Sequence, residues 1–330
     1  MHFTKTEKQL LTVIYGLLHN NYPASRQMID LGGKSFFQSG FAVKDEDFTS
    51  LLKAGFLYHE NEEYRLTSSG EMAAADAMHS AMDEGSDKGI AIYADSKAYH
   101  TFCADLFGID LCQLNMLSDK QLTKILDFLQ IRQEHYVLEL GCGNGFLTEY
   151  LAEQTGAFVL GIDSASDAVE QALQRTAGKR NSVDFISRDL NIPFASSRQF
   201  DAVIAIDSLA ESADLEKVVA NLKNLTVTGG RMAFMHSERV DIADIPKQGL
   251  ADLTTLAQVL KKLNIDYQAI EFSEEEYVLW NNILEIKDHH LPDFLAEDHP
   301  ELLTRLTEQA ETVLKTFDLQ RVRFLYQCTK

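Results

Sequence analysis

Three glycines at alternate positions, Gly141, Gly143 and Gly145, separate a β-rich apolar run, residues 136–140, from a helical pattern over residues 146–153. Glycine there lets the backbone turn tightly and approach a ligand where any Cβ would collide. The helix that follows starts with its free N–H groups and positive dipole end facing that ligand. A second strand ends in Asp163, well placed to hold the two hydroxyls of a ribose. The spacing reads Glu139-x-Gly141-x-Gly143-x-Gly145, and Phe146 stands where a dinucleotide fingerprint needs its third glycine. That departure weakens an NAD or FAD reading. A glycine turn with no ligand is the plainer alternative.

Further acids close the strands that follow. Residues 183–187 lead into Arg188-Asp189-Leu190, and residues 200–206 lead into Asp207. Asp189 meets a ligand or caps a strand-end turn; Asp207 lines a pocket, orients an acceptor or caps the turn at Ser208. Gly229-Gly230 turns into a fifth strand over residues 231–234, with Met235-His236-Ser237-Glu238 at its mouth. His236 is suited to taking a proton near neutrality, although a lone histidine after a strand is more often structural. Helices must hold these strands apart. Ser118 and Gln121 form a capping box for a helix with Leu122, Ile125, Leu126 and Leu129 on one face. Ser164 and Asp167 cap a helix through Thr176, and a helix over 253–263 precedes a sixth strand, 266–272. Between it and a seventh, 321–328, helices over 274–286 and 300–317 make an insertion longer than an ordinary connection. That insertion serves as a lid carrying Tyr277 and Trp280, or packs on the core.

The acid and glycine pattern, Asp163, Asp189, Asp207 and seven strands in alternation with helices resemble the class I S-adenosylmethionine-dependent methyltransferases over about residues 92–330. The resemblance implies an α/β fold with a Rossmann-like seven-stranded sheet, order 3-2-1-4-5-7-6, the seventh strand antiparallel. It places S-adenosylmethionine at the C-terminal strand ends, where open α/β sheets bind ligands. It also implies that Glu139, Gly141, Cys142, Gly143, Asn144, Gly145, Asp163, Ser164, Asp189, Leu190 and Asp207 hold the cofactor. Glu139 would organise the loop and the methionine ammonium, Asp189 would accept from the adenine amino group, and the backbone N–H of Leu190 would meet the ring. Tyr93 and Gln113 match loosely the positions that cover the methionine end; an aromatic packed on the core and a surface amide describe them as well. The implied reaction is in-line transfer of the sulfonium methyl to a small-molecule nucleophile, oxygen or nitrogen foremost, with His236 and Asp207 as catalytic candidates. Orientation alone can contribute about 7–11 kcal/mol, so an obligatory base need not be visible. A regulator that binds the cofactor as a signal and a protein methyltransferase are the alternatives.

Ahead of this lie helices expected over 6–18, 25–30 and 45–54, strands over 56–59 and 63–66, and a capping box, Ser68 with Glu71, opening a helix that reaches Met82. The order resembles a winged-helix domain. The polar stretch 83–89 reads as a linker, giving domains 1–88 and 89–330. Lys44-Asp45-Glu46-Asp47 opens the helix that would enter a groove, and Glu60, Glu62 and Glu63 edge the wing, so phosphate would meet like charge. Pairing of two subunits in a homodimer, or packing on a substrate pocket, is favoured over DNA. The net charge of −20 likewise argues against a nucleic-acid partner, and Arg175, Lys179 and Arg180 read as a solvated helix end. No apolar run approaches the roughly 18–20 residues that span a bilayer, and a cytoplasmic protein is expected. The four cysteines show no disulfide or metal spacing, and the adjacent His289 and His290 give a metal site little support.

Overall fold

A computed structural model of the chain describes residues 3–19, 23–37, 41, 43–74, 77, 92–240, 249–316 and 321–330. The expected linker, 83–89, and the end of the helix expected to reach Met82 lie outside the described residues. The chain divides into two compact units, residues 1–86 with 304–316, and residues 87–303 with 317–330.

The first unit is built on α1 (Lys5–His19), α2 (Arg26–Phe37) and α3 (Asp45–Lys53), followed by the hairpin β1 (Leu57–Glu60) and β2 (Glu63–Leu66). Leu10, Leu11 and Ile14 of α1 close over Ile29, Phe48 and Leu51, which buries the apolar face each helix shows in sequence. α2 runs past Asp30 through Gly32, where a Cβ would stand 3.3 Å from Val13 Cγ1; a small residue lets α2 lie close on α1. The acids that open α3 are structural: the Asp47 carboxylate accepts from the Lys44 N–H at 2.7 Å and from Thr6 Oγ1 at 2.7 Å. The hairpin turns through Asn61 and Glu62, both at positive φ, +50° and +65°. Two left-handed residues match the twist of the flanking strands. The next helix is capped one residue earlier than expected: Thr67 Oγ1, not Ser68, accepts from the Gly70 N–H at 3.1 Å.

The second unit is organised on a seven-stranded sheet. Its strands are β3 (Tyr136–Leu140), β4 (Phe158–Asp163), β5 (Val183–Ser187), β6 (Phe200–Ile206), β7 (Thr226–Arg239), β8 (Asp266–Glu271) and β9 (Arg321–Thr329). Their order across the sheet is β5-β4-β3-β6-β7-β9-β8. β5, β4, β3, β6 and β7 are parallel, and β9 runs antiparallel to both its neighbours. Side chains alternate between faces along a strand, so two cores form. Leu138, Leu140, Val203, Met232 and Phe234 pack on α8 (Leu215–Leu225) and α9 (Thr255–Lys262). Val137, Ile204, Ala233 and Met235 pack on the other side, with α5 (Asp119–Leu129), α6 (Phe146–Thr155) and α7 (Ser166–Arg175). α4 (Lys97–Phe107), α10 (Ser273–Ala296) and α11 (Pro300–Thr316) complete the chain.

Several expected boundaries move. β7 begins at Thr226 and carries Gly229 and Gly230 within it, so His236 lies inside a 14-residue strand paired with β9, not at its mouth. α7 is not capped by Ser164 or Asp167; at its N-cap residue, Ala165, the N–H donates back to Asp163 Oδ1 at 2.9 Å. Only half of the Ser118 box forms: Ser118 Oγ accepts from the Gln121 N–H at 3.2 Å, while the fully buried Gln121 amide meets no partner among the described residues. The insertion helix α10 is one 24-residue helix with Pro292 inside it. Trp280 is in its buried face and Tyr277 in its exposed face.

Candidate functional site

The turn from β3 to α6 carries the first group of residues. Gly141 adopts φ +77°, and a Cβ on it would fall 2.2 Å from Ser208 Cβ, because Ser208 folds over the turn to donate to the Leu140 carbonyl at 2.7 Å. Gly143, at φ +51°, has no atom of the described residues beyond its own chain neighbours within 4 Å of where its Cβ would stand. Glycine there leaves open space against the backbone, as close approach of a ligand requires. The Gly143 N–H donates to Asp163 Oδ2 at 2.6 Å, and Gly145 closes the turn by donating to the Cys142 carbonyl at 2.8 Å. Each Asp163 oxygen accepts one backbone N–H and retains a lone pair for a further donor.

Glu139 lies under this turn. Its carboxyl accepts from Thr148 Oγ1 at 2.5 Å and is buried on the face covered by α6. Removal from water pushes it up to about 8, against the opposing pull of that hydrogen bond. It is therefore poised to ionise when a cation arrives. Cys142 is buried and its thiol is held well above its ordinary value, first by burial, then by the charges of Asp163 and Glu139. A neutral, enclosed thiol is unreactive. Asn144 ties the turn to the segment after α4: its Nδ2 donates to Cys112 Sγ at 3.1 Å and to the Cys112 carbonyl at 3.4 Å.

The remaining predicted residues are placed less uniformly. Gln113 is buried, not a surface amide, and its amide is spent on backbone: Oε1 accepts from the Leu111 N–H, and Nε2 donates to the Ile109 and Leu117 carbonyls. It shapes the loop and has no donor left to offer. Tyr93 is a core aromatic, its ring 4.5 Å from that of Tyr99. Asp189 caps the turn after β5, its Oδ1 accepting from the Asn191 N–H at 2.8 Å and from Asn191 Nδ2 at 2.9 Å. Leu190 packs half-buried against the core beside it, and Ser164 is exposed.

The two catalytic candidates are not brought together. His236 and Ser237 are neighbours in β7 and so face opposite sides of the sheet. Asp207 belongs to the Ser237 side, where Arg323 Nη1 reaches both Ser237 Oγ and Asp207 Oδ1 at 2.7 Å. His236 faces the other side, buried, with Nε2 3.2 Å from Glu238 Oε2. Asp207 is engaged as well, both oxygens being taken by Arg323 at 2.7 and 2.9 Å.

Three contributors were missed in sequence. Arg175 is no solvated helix end: Nη2 donates to the Asn144 carbonyl at 2.7 Å, Nε meets Glu149 at 2.9 Å, and the guanidinium lies 3.8 Å over the Phe146 ring. Arg323 shows a signal that could have found it, an arginine set between the apolar Val322 and Phe324 of β9, which must have a buried partner. Glu211, four residues past Asp207, keeps much of its surface in contact with solvent, yet the protein atoms crowding it and the charge of Asp163 push its carboxyl up to about 7. Among the described residues no cluster of side chains could hold a metal ion.

The glycine turn and its strands agree with known proteins. A family described as "Methyltransferase domain" matches residues 137–230. The methyltransferase GfsG of Streptomyces halstedii is 28% identical over 172 residues, 51% of this chain and 58% of that protein. The ubiquinone biosynthesis O-methyltransferase of Coxiella burnetii is 26% identical over 121 residues, 37% of this chain and 51% of that one. The chain thus spans little more than half the length of these curated relatives. Among solved structures, phosphoethanolamine N-methyltransferase 2 of Haemonchus contortus, in complex with phosphomonomethylethanolamine and S-adenosylhomocysteine, superposes with a TM-score of 0.60 at 18% identity, covering 76% of this chain and 59% of that one. At that identity the likeness concerns the fold. Residues 137–230 therefore match a methyltransferase domain.

Proposed function

We propose that the chain is an S-adenosylmethionine-dependent methyltransferase acting on a small molecule, with oxygen or nitrogen as the methylated atom. The observation that carries this is the glycine turn fastened to Asp163, with the space beside Gly143 left open. Bound S-adenosylmethionine supplies the electrophilic methyl group. The chain's own part is to hold and align. Asp163 suits the ribose hydroxyls, Glu139 the ammonium, and Asp189 with Leu190 the adenine edge. Such positioning is the larger share of what a methyl-transfer site must provide. The engaged carboxylate of Asp207 and the Glu238-paired His236 favour orientation and exclusion of water over proton abstraction by either. A labelled-methyl transfer screen over metabolite pools tests the activity: label appearing in a small molecule is expected, and label appearing only in protein would replace this function by protein methylation.

For the first unit, the three helices followed by a two-stranded hairpin support a winged-helix-like module that pairs subunits in a homodimer. The acids of α3 and the hairpin speak against phosphate contact. No described helix is long and apolar enough to cross a membrane, in keeping with a cytoplasmic setting. Sedimentation at micromolar concentration tests the pairing.

A further inference from the structure

Arg323 is 1% exposed, yet it sets a guanidinium between the buried Val322 and Phe324 of β9. Its guanidinium grips Asp207 through both Nη atoms and Ser237 through one of them. Its Nε, also buried, meets no partner among the described residues. Desolvating such a group costs enough that a buried ion pair is weak grounds for stability, so its presence asks for another reason. Asp207 supplies one. It closes β6 at φ +58°, its side chain 27% exposed, immediately before the Ser208 that covers Gly141 in the cofactor turn. It also takes the Met116 N–H at 3.5 Å, from the segment that Asn144 ties to that turn.

We propose that Arg323 is a positioning residue that neutralises and orients Asp207, so that the end of β6 presents hydrogen-bond acceptors to the cofactor without a net negative charge. The inference rests on the methyltransferase function proposed above. Its physical sense lies in the charge change of the reaction. The sulfonium is positive before transfer and a neutral thioether after it. A bare carboxylate beside it would stabilise the charged ground state most and raise the barrier. Paired with Arg323, Asp207 retains its geometry and loses that effect. Arginine suits the task because its planar fork fixes both carboxylate oxygens.

The test needs no acceptor. Calorimetric dissociation constants for S-adenosylmethionine and S-adenosylhomocysteine are measured on the full chain, and their ratio reports how the site discriminates a cation from a neutral analogue. Arg323→Ala leaves Asp207 unopposed and is expected to shift the ratio toward S-adenosylmethionine, on the order of tenfold for one unit charge at close range. Asp207→Asn leaves the arginine unopposed and is expected to shift it toward S-adenosylhomocysteine by a similar factor. Arg323→Lys keeps the charge and should leave the ratio near that of the parent. Misfolding alone would weaken both ligands together, and the opposite sign expected for Asp207→Asn keeps the test decisive if Arg323→Ala does not fold. A ratio unchanged in Asp207→Asn, or shifted the same way in both variants, would overturn the inference alone. Failure of the parent protein to bind either ligand would overturn the proposed function and the inference with it.

Discussion

Glu139 shows how a single buried acid links stability to pH. Its folded value near 8 lies above the ordinary 4.5, so it is protonated in the fold over a pH range where the unfolded chain ionises. Such a carboxyl costs nothing below pH 4.5, and its cost grows as pH rises from there to about 8, reaching roughly 3 kcal/mol at pH 7. Thermal unfolding of the ligand-free protein should therefore give a midpoint that falls as pH rises through this window, and Glu139→Gln should flatten the slope. An unchanged slope would place the titration elsewhere. With an ammonium beside it the charged form becomes favourable. Binding of S-adenosylhomocysteine at pH 7 should then release roughly one proton, read from calorimetric enthalpies in buffers of different ionisation heat. In sequence, Glu139 was legible as the acid of the glycine pattern and Asp163 as the acid closing β4. Gln113 and Asp207 were legible as positions and not as contacts, because the groups that occupy them, the carbonyls of Ile109 and Leu117 and the fork of Arg323, come from loop geometry and from a strand 116 residues away.

At the scale of elements, tertiary pairing and local chemistry each decided boundaries that periodicity left open. β7 was expected to start after Gly229-Gly230, but it pairs with β9 from Arg231 to Arg239 and so draws His236 into its interior. Tertiary pairing fixed that strand, and no local signal marked its length. The Ser118 cap, by contrast, was readable, while the unmet amide of Gln121 was not. A buried amide without partners is destabilising, so Gln121→Met, of similar length, should raise stability by about 1 kcal/mol in denaturant unfolding. A loss of stability would mean that the amide has a partner in solution, such as a held water. The β1–β2 hairpin provides a second case. Glu62 adopts φ +65°, which glycine reaches without cost. Glu62→Gly should stabilise by up to about 1 kcal/mol, and a destabilised variant would show that the Glu62 side chain contributes more than its backbone strain costs.

For the molecule as a whole, the order of the strands was expected only from the family resemblance, whereas the α/β class and the alternation of seven strands with helices were the most legible features. They follow from apolar runs alternating with amphipathic helices, a pattern that survives without any knowledge of contacts. The division of the chain was less so, since residues 304–316 group with the N-terminal unit though they lie far along in sequence. The charge of −20 bears on partners at this same scale, disfavouring polyanions. What unites the residues is the site at the strand ends, and its central element is the grip of Asp163 on the glycine turn. The most direct test is calorimetry of S-adenosylhomocysteine with the parent protein and with Asp163→Ala. Binding by the parent and a loss of about 10- to 100-fold in the variant are predicted, the worth of hydrogen bonds to a charged group. An equal dissociation constant in the two proteins, with the variant shown to be folded, would contradict the account.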